Sequence, residues 1–203
     1  CRAGAAIGSN IVAKRLYSTV NVQETTPSLW LTASEMAFCK AEGVLRGWNM
    51  GGGTAKEYYE RGVTLSFNQW GADGVVNYLL DDTSTEANYA DALGGFGGAA
   101  AKASTITIKW DDNAPMDEKM ERLITQKWIA LFPNGQEAWN EIRRTGYPRI
   151  FSVPQATNGY TLLTPNRIPF DKNQQINNRS NYDKAVELLG GPDDYATPMW
   201  WQR

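Results

Sequence analysis

Apolar residues recur at helical spacing in two neighbouring segments of the chain, residues 33–48 and 59–70. A threonine, Thr32 or Thr54, precedes each segment and is followed three residues later by a glutamate, which is the pattern of a capping box. Between the segments, the glycines at 51–53 cannot sustain a helix. The pattern therefore predicts an antiparallel helical hairpin, the unit of a tetratricopeptide-like array. Because one hairpin cannot bury its own apolar face, and no second copy follows, we expect the array to continue outside this chain.

A second helix pair is predicted further along. The longest helix should begin near Pro115 and bury a stripe that runs from Met116 to Leu131. A turn at 133–135 separates it from a helix over 136–144, and Gly146 is placed to end that helix.

The rest of the chain has weaker patterns. Residues 73–82 suit one short helix, and a small, glycine-rich excursion then runs to Ser104. Residues 104–110 alternate and predict a short extended segment. Towards the C-terminus an Asn- and Gln-rich stretch at 173–181 is expected to be irregular, with a short helix at 181–189.

These elements predict one mainly α domain, a tetratricopeptide-like helical hairpin scaffold with long irregular loops and few short strands. Its segments are an irregular opening (1–27), the hairpin (28–72), a loop-rich excursion (73–114), the helix pair (115–148) and an irregular C-terminal segment (149–203).

The amino-acid composition indicates which kinds of binding partner to expect. The formal net charge of −2 and the sequence pI of about 5.3 give no electrostatic reason to expect nucleic acid. Eight Trp and nine Tyr favour planar, amphipathic contact surfaces. No signal peptide and no apolar stretch long enough to span a membrane is visible.

The chain contains no histidine. This removes the commonest general base at neutral pH, the commonest metal ligand and every Ser-His or Cys-His nucleophile. We therefore expect a protein that is not an enzyme. A glycoside hydrolase, which needs two carboxyl groups, stays open, with Asp111 and Glu118 or Glu121 as its candidate pair.

No metal or cofactor is expected. The stretch DDNAPMDE (111–118) lacks the central glycine and the spacing of a calcium loop, and GGFGG (94–98) does not join a strand to a helix as a dinucleotide loop must. Turn and helix capping explains the acidic pairs at 81–82, 111–112 and 193–194 more simply.

Aromatic residues outside the predicted helices are the candidates for ligand binding, because loops carry binding residues on a rigid scaffold. The candidates for stacking on a sugar ring are Tyr17, Tyr89, Phe96 and Trp110. The tryptophans expected in the core, on apolar stripes, are Trp48, Trp70, Trp128 and Trp139.

Two adjacent arginines, Arg143 and Arg144, allow two interpretations. Their guanidinium groups suit bidentate capture of an anion. Alternatively, they stabilise the end of a helix, where cations are favoured and Arg143 can pair with Glu121 or Glu137. The absence of a phosphate loop in the sequence favours the structural role.

The cysteines, Cys1 and Cys39, form no disulfide framework. Cys39 lies on the apolar side of the first predicted helix, so a buried free thiol is favoured, with a Cys1–Cys39 disulfide as the alternative.

Four stretches together resemble the C-terminal part of SusD/RagB-like outer-membrane lipoproteins of Bacteroidetes. They are WLTASEMAFCKAEG (30–43), ITQKWIALFPNGQEAWNEIRRTGYP (124–148), NRIPF (166–170) and VELLGGPDD (186–194). The resemblance implies an exported, surface-exposed protein held to the membrane by a lipid on an N-terminal portion that this chain should lack.

The resemblance also implies a non-catalytic function. Such a protein would capture an oligosaccharide, or in some members a peptide, as the lid of a SusC-like TonB-dependent transporter. The resemblance identifies the RRTGYP stretch as a signature of the family's scaffold, which again favours a structural role for its two arginines. No ligand residue can be carried over from the motifs. A two-carboxylate glycoside hydrolase and a pure assembly scaffold remain alternatives.

Overall fold

A computed structural model of the protein describes residues 23–90, 99–150 and 165–202. The chain is mainly helical in these ranges. The helices are α1 (Ala33–Leu45), α2 (Ala55–Trp70), α3 (Val75–Leu79), α4 (Met116–Ala130), α5 (Gly135–Thr145), α6 (Lys172–Asn177) and α7 (Arg179–Leu189). Two short strands, β1 (Tyr89–Ala90) and β2 (Ala99–Ala100), pair antiparallel, and a 3-10 turn covers Trp200–Gln202. No described helix has the length and apolar character needed to cross a membrane.

The predicted hairpin is confirmed as α1 and α2. The Thr32 hydroxyl accepts a hydrogen bond from the Glu35 backbone N–H at 3.1 Å. At α2 the box is complete: Thr54 accepts from the Glu57 N–H at 3.2 Å, and the Glu57 carboxylate accepts from the Thr54 N–H at 2.7 Å. These side chains bind backbone donors that the first turn of a helix leaves unpaired.

The core lies where α1 packs against α2 and α4. Phe38, Tyr59 and Leu123 are fully buried there. The Tyr59 ring lies edge-on to Phe38, with centroids 6.2 Å apart, and 5.0 Å from the ring of Trp110. A single aromatic cluster therefore joins α1 and α2 to the segment before α4.

Gly62 sets the spacing of the hairpin. A Cβ built at this position would lie 2.7 Å from the Phe38 ring. The Ser34 hydroxyl also donates to the Gly62 carbonyl at 2.7 Å. Since both contacts need the α2 backbone close to α1, only glycine fits between the helices without moving them apart.

The helix pair α4 and α5 is tied to α1 by a network of charged side chains. Lys127 Nζ lies 2.9 Å from Glu141 Oε1, and Arg144 bonds to Glu141 Oε2 at 2.7 Å. Arg144 also donates to both carboxylate oxygens of Glu42, at 2.6 and 2.7 Å. Burial raises the pKa of Glu42, but the hydrogen bonds and charge of Arg144 and Arg46 bring the pKa below its ordinary value. Arg144 therefore holds helices together.

Arg143 also has structural contacts. Its guanidinium carbon lies 3.9 Å from the Trp139 ring centroid and 4.9 Å from that of Trp201. Its Nη1 donates to the Asn166 carbonyl at 2.9 Å. These contacts replace the predicted pairing with Glu121 or Glu137, and they fasten the C-terminal segment to α5.

Within the loop-rich excursion, the part between Asp82 and Lys109 begins and ends at the same point of the helical body. From here on, "excursion" means residues 82–108. The Lys109 N–H donates to the Asp81 carbonyl at 2.8 Å, and Lys109 Nζ lies 2.9 Å from the Asp82 carboxylate. Residues 104–110, predicted to be extended, form no strand and bond to helical side chains instead. The Tyr59 hydroxyl, for example, donates to the Ile108 carbonyl at 2.6 Å.

The C-terminal segment is more helical than predicted. Helix α6 covers part of the Asn- and Gln-rich stretch because the Asp171 carboxylate accepts from the Asn173 N–H at 2.6 Å and caps its first turn. Arg167 and Asp193 form a buried ion pair at 2.6 Å. Tyr182 of α7 donates to the same carboxylate at 3.1 Å, so one acidic residue joins three parts of the segment.

Several other predictions were wrong. The longest described helix is α2, with 16 residues against 15 for α4. Trp48 and Trp70 are not in the core, since 63% and 48% of their surface is exposed in the described structure. Cys39 is a free thiol, as predicted, but it is half-buried rather than buried, and Cys1 lies outside the described residues.

Candidate functional site

A cavity of about 290 Å³ lies between the excursion, helix α4 and the segment after α5. Its lining comprises Tyr78, Ser84, Thr85, Glu86, Ser104, Ile106, Thr107, Ile108, Arg122, Thr125, Gln126, Trp128, Ile129, Pro148, Arg149 and Ile150. Isoleucines and a tryptophan alternate there with polar side chains. Mixed walls of this kind are typical of small-molecule sites.

The two arms of the excursion are joined beside the cavity. The Glu86 carboxylate accepts hydrogen bonds from the N–H groups of Ala103 and Ser104 at 3.0 and 3.1 Å. Lys102 Nζ donates to the Thr85 hydroxyl at 2.8 Å, and the Lys102 N–H donates to Asn88 at 2.9 Å. These bonds fix the outer wall.

Side chains of α4 fix the inner wall. The Ser104 hydroxyl donates to Glu121 Oε1 at 2.6 Å. Gln126 Oε1 accepts from the Tyr78 hydroxyl at 3.0 Å. Burial is the main cause that raises the pKa of Tyr78, so this hydroxyl stays protonated as a donor at neutral pH.

Arg122 is the unusual residue of this wall. Its side chain is 5% exposed, and its Nε donates to the Thr107 carbonyl at 3.0 Å. Its Nη1 atom is buried and has no hydrogen-bond partner among the described residues. Buried polar atoms normally have at least one hydrogen-bond partner, so Nη1 is a donor that lacks an acceptor.

A second arginine also lines the cavity. Arg149 is half-exposed, and its Nε lies 3.6 Å from Glu121 Oε2. Its guanidinium carbon is 5.5 Å from the Tyr147 ring centroid. The described lining therefore has two arginines and the Glu86 carboxylate, which accepts backbone N–H groups, while Glu121 lies beside Arg149.

Of the four predicted ligand residues, the two within the described ranges, Tyr89 and Trp110, do not line this cavity. Tyr17 and Phe96 lie outside the described residues. Tyr89 is half-buried in β1, on the excursion. Trp110 belongs to the core cluster and is 6% exposed, and its Nε1 donates to the Asp112 carboxylate at 2.8 Å. Its ring is therefore not exposed, as a ring that stacks on a ligand must be.

Sequence reasoning missed Arg122 and the cavity role of Trp128. The available signal was weak: Arg122 and Gln126 lie one turn apart, beside the apolar stripe of α4, where a buried polar pair is unusual.

Two of the acidic residues weighed for catalysis, Glu121 and Asp111, have structural contacts. Glu121 is buried, and Asp111 accepts from the Asn113 N–H at 2.8 Å in a turn, as capping predicts. Across the ranges 23–90, 99–150 and 165–202, no three side chains group as a metal site would require.

Comparison with known proteins identifies the family. Residues 1–202 match the family model described as "SusD-like: Susd and RagB outer membrane lipoprotein". The chain belongs to the SusD-like family. None of the curated proteins compared with it matches significantly.

Solved structures of SusD-like proteins agree. A SusD homolog from Bacteroides uniformis is 43% identical, with a TM-score of 0.83 over 92% of this chain and 39% of its own. A SusD-like protein from Bacteroides thetaiotaomicron is 44% identical, with a TM-score of 0.78 over 87% of this chain and 37% of its own.

One further SusD homolog, from Flavobacterium johnsoniae, is described as chitin-binding. It is 42% identical, with a TM-score of 0.76 over 86% of this chain and 36% of its own. The chain thus spans about two fifths of the length of the structures it matches. The predicted helical tetratricopeptide-like scaffold is the fold of the SusD-like structures that it matches.

Proposed function

We propose that this SusD-like protein captures an oligosaccharide at the cell surface and delivers it to a SusC-like TonB-dependent transporter without chemical change. The observation that carries the proposal is the 42% identity to a SusD homolog that is described as chitin-binding. The family description as outer-membrane lipoproteins supports the location. We place the protein on the outer face of that membrane, held by an N-terminal lipid.

The cavity is the proposed contact for one sugar residue. Its apolar wall, with Trp128, Ile106 and Ile129, suits the C–H face of a pyranose ring. The hydroxyl of Thr125 and the amide of Gln126 are placed to bond sugar hydroxyls. We keep Tyr89, with Tyr17 and Phe96, as proposed stacking residues along the rest of the ligand.

Titration calorimetry of the chain with a panel of oligosaccharides tests the capture step. A Trp128→Ala variant should weaken binding of the preferred glycan about 10-fold or more, since base- or ring-stacking aromatics contribute roughly 1–3 kcal/mol. Trp48→Ala, a change at an exposed tryptophan outside the cavity lining, is the matched control and should bind as the unaltered chain does.

Two alternatives have their own outcomes. Binding of peptides but of no glycan would replace the oligosaccharide with a peptide ligand. Release of shorter sugars from a glycan, lost in Asp111→Asn or Glu118→Gln, would indicate a glycoside hydrolase. Co-purification of the full-length protein from mild detergent should yield a transporter-sized partner, and its absence would contradict the delivery step.

A further inference from the structure

The charges of the cavity suggest which ligand it selects. Three cations are at least nine-tenths buried in the described ranges: Arg122, Lys127 and Arg167. Lys127 pairs with Glu141 at 2.9 Å and Arg167 with Asp193 at 2.6 Å. Arg122 alone of these three has no described carboxylate within ion-pair distance. Among the described residues, the buried charge of Arg122 thus has no ion-pair partner, and Arg122 lies at the cavity wall.

Neighbouring acids do not supply the missing charge. Glu121 binds the Ser104 hydroxyl and faces Arg149, and the Glu86 carboxylate accepts two backbone N–H groups. Arg149 adds a second guanidinium to the lining. Glu121, 3.6 Å away, offsets the charge of Arg149, so Arg122 is the charge of the described lining that favours an anion in the cavity.

The apolar part of the wall strengthens this effect. Ile106, Ile129 and Trp128 reduce the local dielectric constant, so the charge of Arg122 acts on the cavity without direct contact. A ligand oxygen that bonds Nη1 must displace the atoms that cover it, whereas the electrostatic attraction needs no displacement.

We propose that the cavity binds a carboxylate carried by the ligand, with Arg122 as the residue that determines this specificity. The inference rests on the proposed capture function and adds the substrate class. A volume of about 290 Å³ is at the small end for ligand sites, so it suits one ring or one residue with its carboxyl group. The source is a uronic acid of a glycan or the C-terminal carboxylate of a peptide.

Calorimetry on the unaltered chain decides between charged and neutral ligands. The probes are galacturonic acid trimer against its carboxyl-reduced galactose trimer, and a tripeptide against its C-terminal amide. We expect the acid of one pair to bind at least 10-fold more tightly than its neutral partner, with a preference that falls as salt rises. Equal affinity for acid and neutral forms in both pairs, or no binding of any probe, would overturn the proposal.

Variants test the residue. Arg122→Gln should remove most of the acid preference, and Arg149→Gln should reduce it. Arg179→Gln, at an exposed arginine on α7, is the control and should leave the preference intact. If circular dichroism shows that Arg122→Gln is folded, and the variant still prefers the acid over the neutral ligand as strongly as the unaltered chain, the role of Arg122 is refuted. If that variant does not fold, Arg149→Gln and the ligand pairs still decide whether the cavity selects a carboxylate.

The failures of the two proposals differ. Tight binding of neutral oligosaccharides with no acid preference would keep glycan capture and reject the carboxylate. An acid preference seen with the peptide pair alone would keep the carboxylate and reject the glycan.

Discussion

Replacing Glu141 by leucine should strongly destabilise the protein. Glu141 lies between two cations, with Lys127 Nζ at 2.9 Å and Arg144 Nη2 at 2.7 Å, and the side chains of Lys127 and Glu141 are 6% and 9% exposed. In Glu141→Leu, Lys127 keeps its buried charge without its partner, while Arg144 keeps its bonds to Glu42. Removing one member of a buried pair costs about 3–5 kcal/mol. Because one cation remains paired, we expect a loss of about 3 kcal/mol.

Urea and thermal unfolding, followed by circular dichroism, measure the loss. At roughly 2–4 °C per kcal/mol for a chain of this length, the Tm should fall by about 6–12 °C. The exposed pair Arg179–Asp183, 2.9 Å apart and 70% and 55% exposed, provides the control. Asp183→Asn should cost about 1 kcal/mol or less, since exposed ion pairs contribute little.

A double variant tests the physical reason. Lys127→Met combined with Glu141→Leu removes the unpaired charge and should recover much of the stability lost in Glu141→Leu. If Glu141→Leu costs no more than Asp183→Asn, or if Lys127→Met recovers nothing, the assignment of the stability to this buried pair is wrong.

Three further predictions use the same unfolding assays. Gly62→Ala should destabilise by about 1–3 kcal/mol because its Cβ would overlap the neighbouring helix, whereas Gly135→Ala, with open space around it, should be neutral or slightly stabilising. Thr54→Ala removes a complete capping box and should cost about 1 kcal/mol. Burial raises and Arg144 lowers the pKa of Glu42, with a net value below the ordinary 4.5. This group therefore stabilises the fold above pH 4.5 and loses its contribution as the pH falls further, so Glu42→Gln should flatten the acid limb of stability against pH.

The features that the sequence predicted well depend on local chemistry. The starts of α1 and α2 follow from a threonine and a glutamate three residues apart, and α5 ends at Gly146, whose φ of 78° suits glycine. Each of these signals lies within one turn of the element that it determines, so neighbouring residues are enough to recognise it.

Features that depend on distant parts of the chain were missed. Periodicity marks a face as apolar but does not say which element covers it, so Trp48 and Trp70 were placed in the core although both are exposed. Trp110 follows an irregular segment, and its burial depends on a ring of α2, Tyr59, 5.0 Å away. The cavity at Arg122 exists because the excursion folds back onto α4, which no local pattern reveals.

The junction at which the excursion begins and ends has a consequence for how proteins of this kind diversify. The Asp81–Lys109 hydrogen bond and the Asp82–Lys109 ion pair hold the two ends together, while the helices on either side share one core. Closing a longer loop costs only about 0.6 kcal/mol for each doubling of its length. Insertions between these anchor points therefore cost the scaffold little folding free energy. New ligand preferences can evolve there while the helical body stays under separate selection for stability.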